Sequence, residues 1–134
     1  MNLNHVTVPV ADVEASAAFY RRLGLVPIVL SLPKYARLEC PDGGATLSLH
    51  RTEGRPGMLG AVIYFECADV DATVARLERL GVSFEQEPRD EPWLWREAYL
   101  RDPDGNRICL YHAGANRRFP PWRLETITDL LEEG

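Results

Sequence analysis

An internal repeat constrains this chain more than any other feature. Residues 5–13, His-Val-Thr-Val-Pro-Val-Ala-Asp-Val, are answered by residues 62–70, Val-Ile-Tyr-Phe-Glu-Cys-Ala-Asp-Val, so that Ala-Asp-Val recurs at an offset of 57 residues. Twelve positions after each Asp comes the glycine of an Arg-Leu-Gly: Arg22-Leu23-Gly24 and Arg79-Leu80-Gly81. A second match follows at an offset of 62, with Ala36-Arg37-Leu38-Glu39-Cys40-Pro41-Asp42-Gly43 answered by Ala98-Tyr99-Leu100-Arg101-Asp102-Pro103-Asp104-Gly105. The second copy is therefore about five residues longer between its helix and this turn. A repeat of this length is one supersecondary unit used twice.

Each copy has the same physical content. Residues 3–10 and 61–67 are rich in Val, Ile, Phe and Tyr and predict strands, with Pro9 at a strand end or edge. Asp12 and Asp69 are suited to cap helices, with Glu14 and Asp71 in the first turn, where a carboxylate complements the helix dipole. Val13, Ala17, Tyr20 and Leu23 recur at helical spacing, as do Val70, Val74, Leu77 and Leu80, which predicts one buried face per helix. Gly24 and Gly81 follow as residues able to take the left-handed conformation that ends a helix. Extended segments are expected at Val26–Leu30, Ala36–Cys40 and Thr46–His50, and again at Ser83–Glu87, Trp95–Arg101 and Arg107–His112. Pro41-Asp42-Gly43 and Pro103-Asp104-Gly105 supply tight turns.

The expected fold is α+β: two tandem β-α-β-β-β modules forming an open mixed-sheet barrel, read as a single domain over residues 1–134. Module one covers 1–50, a Gly/Pro-rich linker 51–60, module two 61–112, and a C-terminal extension 113–134. That extension, with Arg117-Arg118-Phe119-Pro120-Pro121-Trp122, suits either a surface-packed tail or a cover for the barrel mouth or a dimer contact.

Composition narrows the function classes. With 15 Lys+Arg against 20 Asp+Glu, the net charge of −5 and the lack of a basic cluster beyond Arg117-Arg118 argue against nucleic acid and an anionic membrane surface as partners. No apolar run has the length of a membrane span and Met1–Asn4 does not resemble a signal peptide, so a cytoplasmic location is expected. Three cysteines without Cys-x-x-Cys spacing suggest free thiols. Phosphate loops, dinucleotide fingerprints, Gly-x-Ser-x-Gly and His-Glu-x-x-His are all missing from the sequence.

The combination of His-Val-x-Val-x-Val-x-Asp at the head of the first copy, Phe19 to Gly24 in its helix and Asp102 to Leu110 near the end of the second resembles the vicinal oxygen chelate superfamily. That group contains glyoxalase I, extradiol dioxygenases, fosfomycin-resistance enzymes and bleomycin-resistance proteins, and the resemblance spans about residues 3–112. It implies up to four metal ligands, from the first and last strands of each half. Carried over, those positions fall on His5, Ser48, Val62 and Cys109, and only His5 retains a usual ligand.

Strand alternation offers a relocated set. His50 shares a face with Ser48, and Glu97 one with Trp95 and Tyr99, so a barrel interior could gather His5, His50 and Glu97 around Fe, Mn, Zn or Ni, with Glu97 as ligand or general base. One divalent metal and none are both open at this stage. Ser48, Tyr64, Trp95, Tyr99, Cys109 and Tyr111, with Trp93 nearby, are candidate ligand-binding residues suited to an aromatic small molecule. Two functions follow as expectations. One is a glyoxalase-like protein binding a small molecule in the barrel, with metal-dependent lyase or dioxygenase chemistry. The other is a metal-free protein that sequesters a small molecule or drug, as bleomycin-resistance proteins do. A homodimer is expected for either.

Overall fold

The structure, a computed structural model, describes residues 4–54 and 61–124; most of the expected linker and the end of the tail lie outside this range. The chain runs β1 (His5–Val10), α1 (Val13–Arg22), β2 (Val26–Ser31), β3 (Tyr35–Glu39), β4 (Thr46–Arg51), β5 (Val62–Glu66), α2 (Val70–Arg79), β6 (Gln86–Asp90), β7 (Arg96–Arg101) and β8 (Arg107–His112). This is the β-α-β-β-β unit twice. Each unit builds its own four-stranded mixed sheet, in the orders β1-β4-β3-β2 and β5-β8-β7-β6. β1 runs parallel to β4 and β5 to β8, the other pairs being antiparallel. The two sheets do not join into a closed barrel.

The helices form where the sequence predicts. Asp12 accepts a hydrogen bond from the Ala15 amide and Asp69 from the Ala72 amide, both at 3.0 Å, satisfying amides that have no partner inside the helix. Gly24 (φ 108°) and Gly81 (φ 87°) reverse the chain in the left-handed region beyond each helix. Val13, Ala17 and Tyr20 are buried on α1, and Val70, Val74 and Leu77 on α2. Leu80 departs from the expected stripe: it is 49% exposed, because it caps α2 as the helix turns away from the sheet.

One hydrophobic cluster holds residues of both modules, joining Val8, Val10, Leu38, Leu47 and Leu49 to Leu77, Val82, Leu100, Ile108 and Leu110. Each such side chain contributes roughly 1.5–3 kcal/mol relative to exposure. Alternation leaves the opposite face of each sheet clear of its helix, and the candidate residues lie there.

Two strands differ from expectation. The second strand of module two starts at Gln86 rather than Ser83, since residues 82–85 serve to bring the chain from α2 back to the sheet. Strand β2 carries Val26, Ile28 and Leu30 at 47%, 47% and 59% exposure along an edge, beside a register shift between Pro27 and Val29. The extra residue of module one's turn is also accounted for. Gly43 (φ 82°) and Gly44 (φ 74°) are both left-handed, whereas the turn of module two needs only Gly105 (φ 86°). Among the described residues no helix is long and apolar enough to cross a membrane.

Candidate functional site

The exposed face of each sheet carries its own polar constellation. On the first sheet the register sets Thr46 beside His5, and Ser48 between Thr7 and Arg37. His5 Nδ1 lies 2.6 Å from Thr46 Oγ1, and its Nε2 lies 3.1 Å from Ser48 Oγ. Ser48 Oγ is 2.5 Å from the Tyr35 hydroxyl, to which Arg37 Nε donates at 2.8 Å. Arg37 can only donate, so the Tyr35 hydroxyl accepts from it, while either hydroxyl can donate across the short bond between Tyr35 and Ser48. The hydrogen bond with Ser48, and then the adjacent Arg37, hold the Tyr35 phenol below its ordinary range against the opposing effect of burial. Ser48 is buried, Tyr35 and Arg37 are half-buried, and His5 is exposed.

The second sheet carries an aromatic wall around a buried acid. Glu97 is 2% exposed, and its two oxygens accept from Trp93 Nε1 at 2.7 Å and from the Tyr99 hydroxyl at 2.9 Å. Trp95 stacks on Tyr111, with centroids 4.7 Å apart and ring planes 21° apart. Tyr64 stands edge-on to both, at 6.0 and 5.6 Å. Such pairs contribute about 0.5–1.5 kcal/mol each beyond the area they bury. Cys109 lies opposite both Tyr64 and Tyr99 in the register. Burial, then the charge of Glu97, push its thiol up to about 12, so it stays protonated and is a poor nucleophile at neutral pH. Burial also raises the Tyr99 phenol, with Tyr64 and Glu97 adding to the effect, and Tyr99 therefore remains a donor to Glu97.

Of the residues singled out from sequence, Tyr64, Trp95, Glu97, Tyr99, Cys109 and Tyr111 come together on the second sheet, and His5 meets Ser48 on the first. Registers β1/β4 and β5/β8 also confirm that Ser48 and Cys109 occupy equivalent positions. The trio His5, His50 and Glu97 is not assembled within one chain. His50 is four residues along β4 from Thr46, the partner of His5, a separation of about 13 Å along the strand. Glu97 lies on the other sheet, and Trp93 and Tyr99 already donate to its oxygens. Among the described residues no three of His, Cys, Asp and Glu gather in a metal-holding arrangement. The donor set of a single chain thus does not fit the divalent metal that the resemblance implies.

Sequence reasoning missed Tyr35, Arg37 and Thr46. The signal was present, because alternation puts Tyr35 and Arg37 on one face of a strand directly beside Ser48. The tail is anchored here too. Glu66 accepts from the Ala113 and Gly114 amides at 2.8 and 2.9 Å and faces Arg117 at 3.9 Å, while Phe119 and Trp122 remain exposed.

The same architecture recurs among solved structures. A lactoylglutathione lyase from Agrobacterium tumefaciens superposes with a TM-score of 0.69 at 24% identity, covering 83% of this chain and 92% of that one. A glyoxalase/bleomycin resistance protein/dioxygenase from Nocardioides gives 0.73 at 23% identity, covering 92% and 89%. At these identities the likeness concerns the fold. The uncharacterized protein YraH of Bacillus subtilis (strain 168) is 41% identical over 51 residues, which span 37% of this chain and 40% of that relative's length. The sequence pattern described as Glyoxalase/Bleomycin resistance protein/Dioxygenase superfamily matches residues 2–110. With that pattern covering most of the chain and the duplicated β-α-β-β-β fold beneath it, the protein belongs to the glyoxalase/bleomycin resistance/dioxygenase superfamily.

Proposed function

We propose that the protein binds a flat, partly aromatic small molecule against the exposed face of the second sheet, and does so without a metal, as a sequestering protein. The observation that carries this reading is the wall of Tyr64, Trp95 and Tyr111 beside the buried Glu97. The rings offer a stacking surface, and the Tyr99 hydroxyl oxygen, whose proton goes to Glu97, can accept from a polar edge of the ligand. Glu97, already accepting from two donors, supplies fixed negative charge that favours an electron-poor or cationic ring over an anionic one.

The reading includes a homodimer. Each chain leaves both sheet faces open, one aromatic and acidic, the other bearing His5, Tyr35 and Arg37. Pairing these faces between copies would enclose a ligand between unlike surfaces. In this reading Ser48 and Tyr35 line the cavity as hydrogen-bonding groups and Cys109 as a small buried one.

A panel of cationic and neutral aromatic compounds, followed by tryptophan fluorescence and thermal shift, tests the proposal. At least one should bind in the presence of a chelator. Trp95→Ala should weaken it by about tenfold, the loss of one stacking partner. The competing metal-dependent lyase or dioxygenase reading gains the upper hand if loading with Fe(II), Mn(II), Zn(II) or Ni(II) gives near one equivalent per chain and His5→Ala removes it.

A further inference from the structure

The pseudo-equivalent halves meet at two junctions, and among the described residues only one is plugged. At the first, the β7–β8 turn docks on module one. Asp104 accepts from the Ala11 amide at 2.8 Å, Asn106 Nδ2 donates to the Pro9 carbonyl at 3.2 Å, and the Tyr20 hydroxyl donates to Asp102 at 2.9 Å. At the second, the β3–β4 turn faces module two. The Cys40 amide donates to the Ala45 carbonyl just as the Asp102 amide donates to that of Asn106, which fixes the correspondence of Cys40 with Asp102 and Ala45 with Asn106. The helix repeat sets Leu77 in the place of Tyr20. Phenol, carboxylate and carboxamide are thus replaced by an aliphatic, a thiol and a methyl group, and no bond forms between Asp42 and the Ala68 amide to match that of Asp104 with Ala11. A cleft of about 730 Å³ opens at this junction.

Its lining has two characters. Leu23, Leu25, Phe65, Leu77 and Leu110 give an apolar floor, with Cys40 and Cys67 on opposite modules. Thr73 and Arg76 of α2 give a polar end, and Arg76 has no ion-pair partner among the described residues, donating only to the Arg22 carbonyl at 3.4 Å. Three carboxylates also border the cleft. Asp69 is engaged in capping α2 and Glu66 in holding the Ala113 and Gly114 amides, which leaves Asp42, on the wall contributed by module one.

We infer that this cleft is a second small-molecule site, taking an apolar acid whose carboxylate pairs with Arg76 and whose hydrocarbon body fills the space that Tyr20, Asp102 and Asn106 fill at the other junction. This goes beyond the sheet-face reading and does not depend on it, although Tyr64 borders both places.

Sodium decanoate, titrated into the full chain by calorimetry, is the probe, and iodoacetamide labelling of Cys40 and Cys67 read by mass spectrometry is the footprint. One-to-one binding should slow labelling of both thiols at least about fivefold, as expected when a ligand covers the surface that exposes them. Arg76→Gln, on the exposed side of α2, should weaken decanoate by about tenfold and leave the neutral decanol unchanged, since only the acid makes a charge-assisted pair. The double variant Cys40→Asp with Leu77→Tyr rebuilds the plug and should abolish binding of both. The inference is overturned if decanoate leaves the two thiols unprotected, or if Arg76→Gln binds both probes as the parent does. It is overturned equally if Trp95→Ala, rather than Arg76→Gln, is the variant that loses decanoate. A failure of the double variant to fold leaves the Arg76→Gln and footprinting results to decide.

Discussion

The two junctions between the modules show how one backbone arrangement can be held in opposite ways. Around Asp102 four donors converge: the Tyr20 hydroxyl, Asn106 Nδ2, and the Asp104 and Asn106 amides, all within 2.8–2.9 Å. Asp102 is 4% exposed, and the bonds from Tyr20 and Asn106 are buried, so those donors depend on it. Around Cys40 the same turn is held by its backbone alone, above a cleft whose floor is apolar. Polar locking makes a junction specific and unforgiving, whereas apolar apposition leaves room and tolerates change.

Substitution at equivalent positions should separate these regimes. Asp102→Ala removes the acceptor of four donors, three of them in buried bonds, and should cost about 3 kcal/mol or more in urea denaturation, while Cys40→Ala removes one half-buried sulfur and should cost about 1 kcal/mol or less. Equal losses would break the comparison. Tyr20→Phe removes a single hydrogen bond to a carboxylate and should cost about 1.5–2 kcal/mol. A near-zero value would mean that the lock resides in Asn106 and the turn amides. Burial also raises the Tyr20 phenol, with Asp102 adding to it, so this proton stays on the hydroxyl throughout the physiological range.

A smaller effect is expected in alkali. The thiol of Cys109 is held at about 12 against 9.0 for the free group. A folded value above the unfolded one means that stability is fully present below about pH 9 and is lost as pH rises toward 12, because the unfolded chain releases the proton first. Melting temperature should therefore fall over this window, and Cys109→Ala should make the decline shallower. The buried Tyr20 and Tyr111 and the half-buried Tyr99 are raised in the same sense and will keep part of the slope. An unchanged slope in Cys109→Ala would assign all of it to the tyrosines.

Local chemistry was legible in the sequence wherever a residue acts on its own backbone. Asp12 and Asp69 cap, and Gly24 and Gly81 reverse the chain, because capping and positive φ are decided within a few residues. Alternation likewise gathered Tyr64, Trp95, Glu97, Tyr99 and Tyr111 on one face. Hidden were relations that need two elements at once. Trp93 reaches Glu97 because Leu94, at φ 69°, bends the loop before β7, a conformation that no residue type in Trp93-Leu94-Trp95 announces. The His5, His50 and Glu97 trio is not gathered within one chain because alternation fixes which face a side chain takes but not which strands, or which sheets, lie side by side. The unplugged junction was visible only as a mismatch, Leu77 for Tyr20 and Cys40 for Asp102, whose meaning required knowing that these positions meet.

Strand β2 has a practical consequence. Val-Pro-Ile-Val-Leu-Ser holds no charge and leaves one row of backbone groups unpaired, whereas its counterpart β6, Gln-Glu-Pro-Arg-Asp, bears three charges. Charged side chains on an edge repel an incoming strand, and aliphatic ones invite it. The margin of the first sheet is therefore the adhesive side of the molecule. Self-association along it is expected to rise with protein concentration and to resist added salt, because apolar contacts at Val26, Ile28 and Leu30 are not screened as charges are.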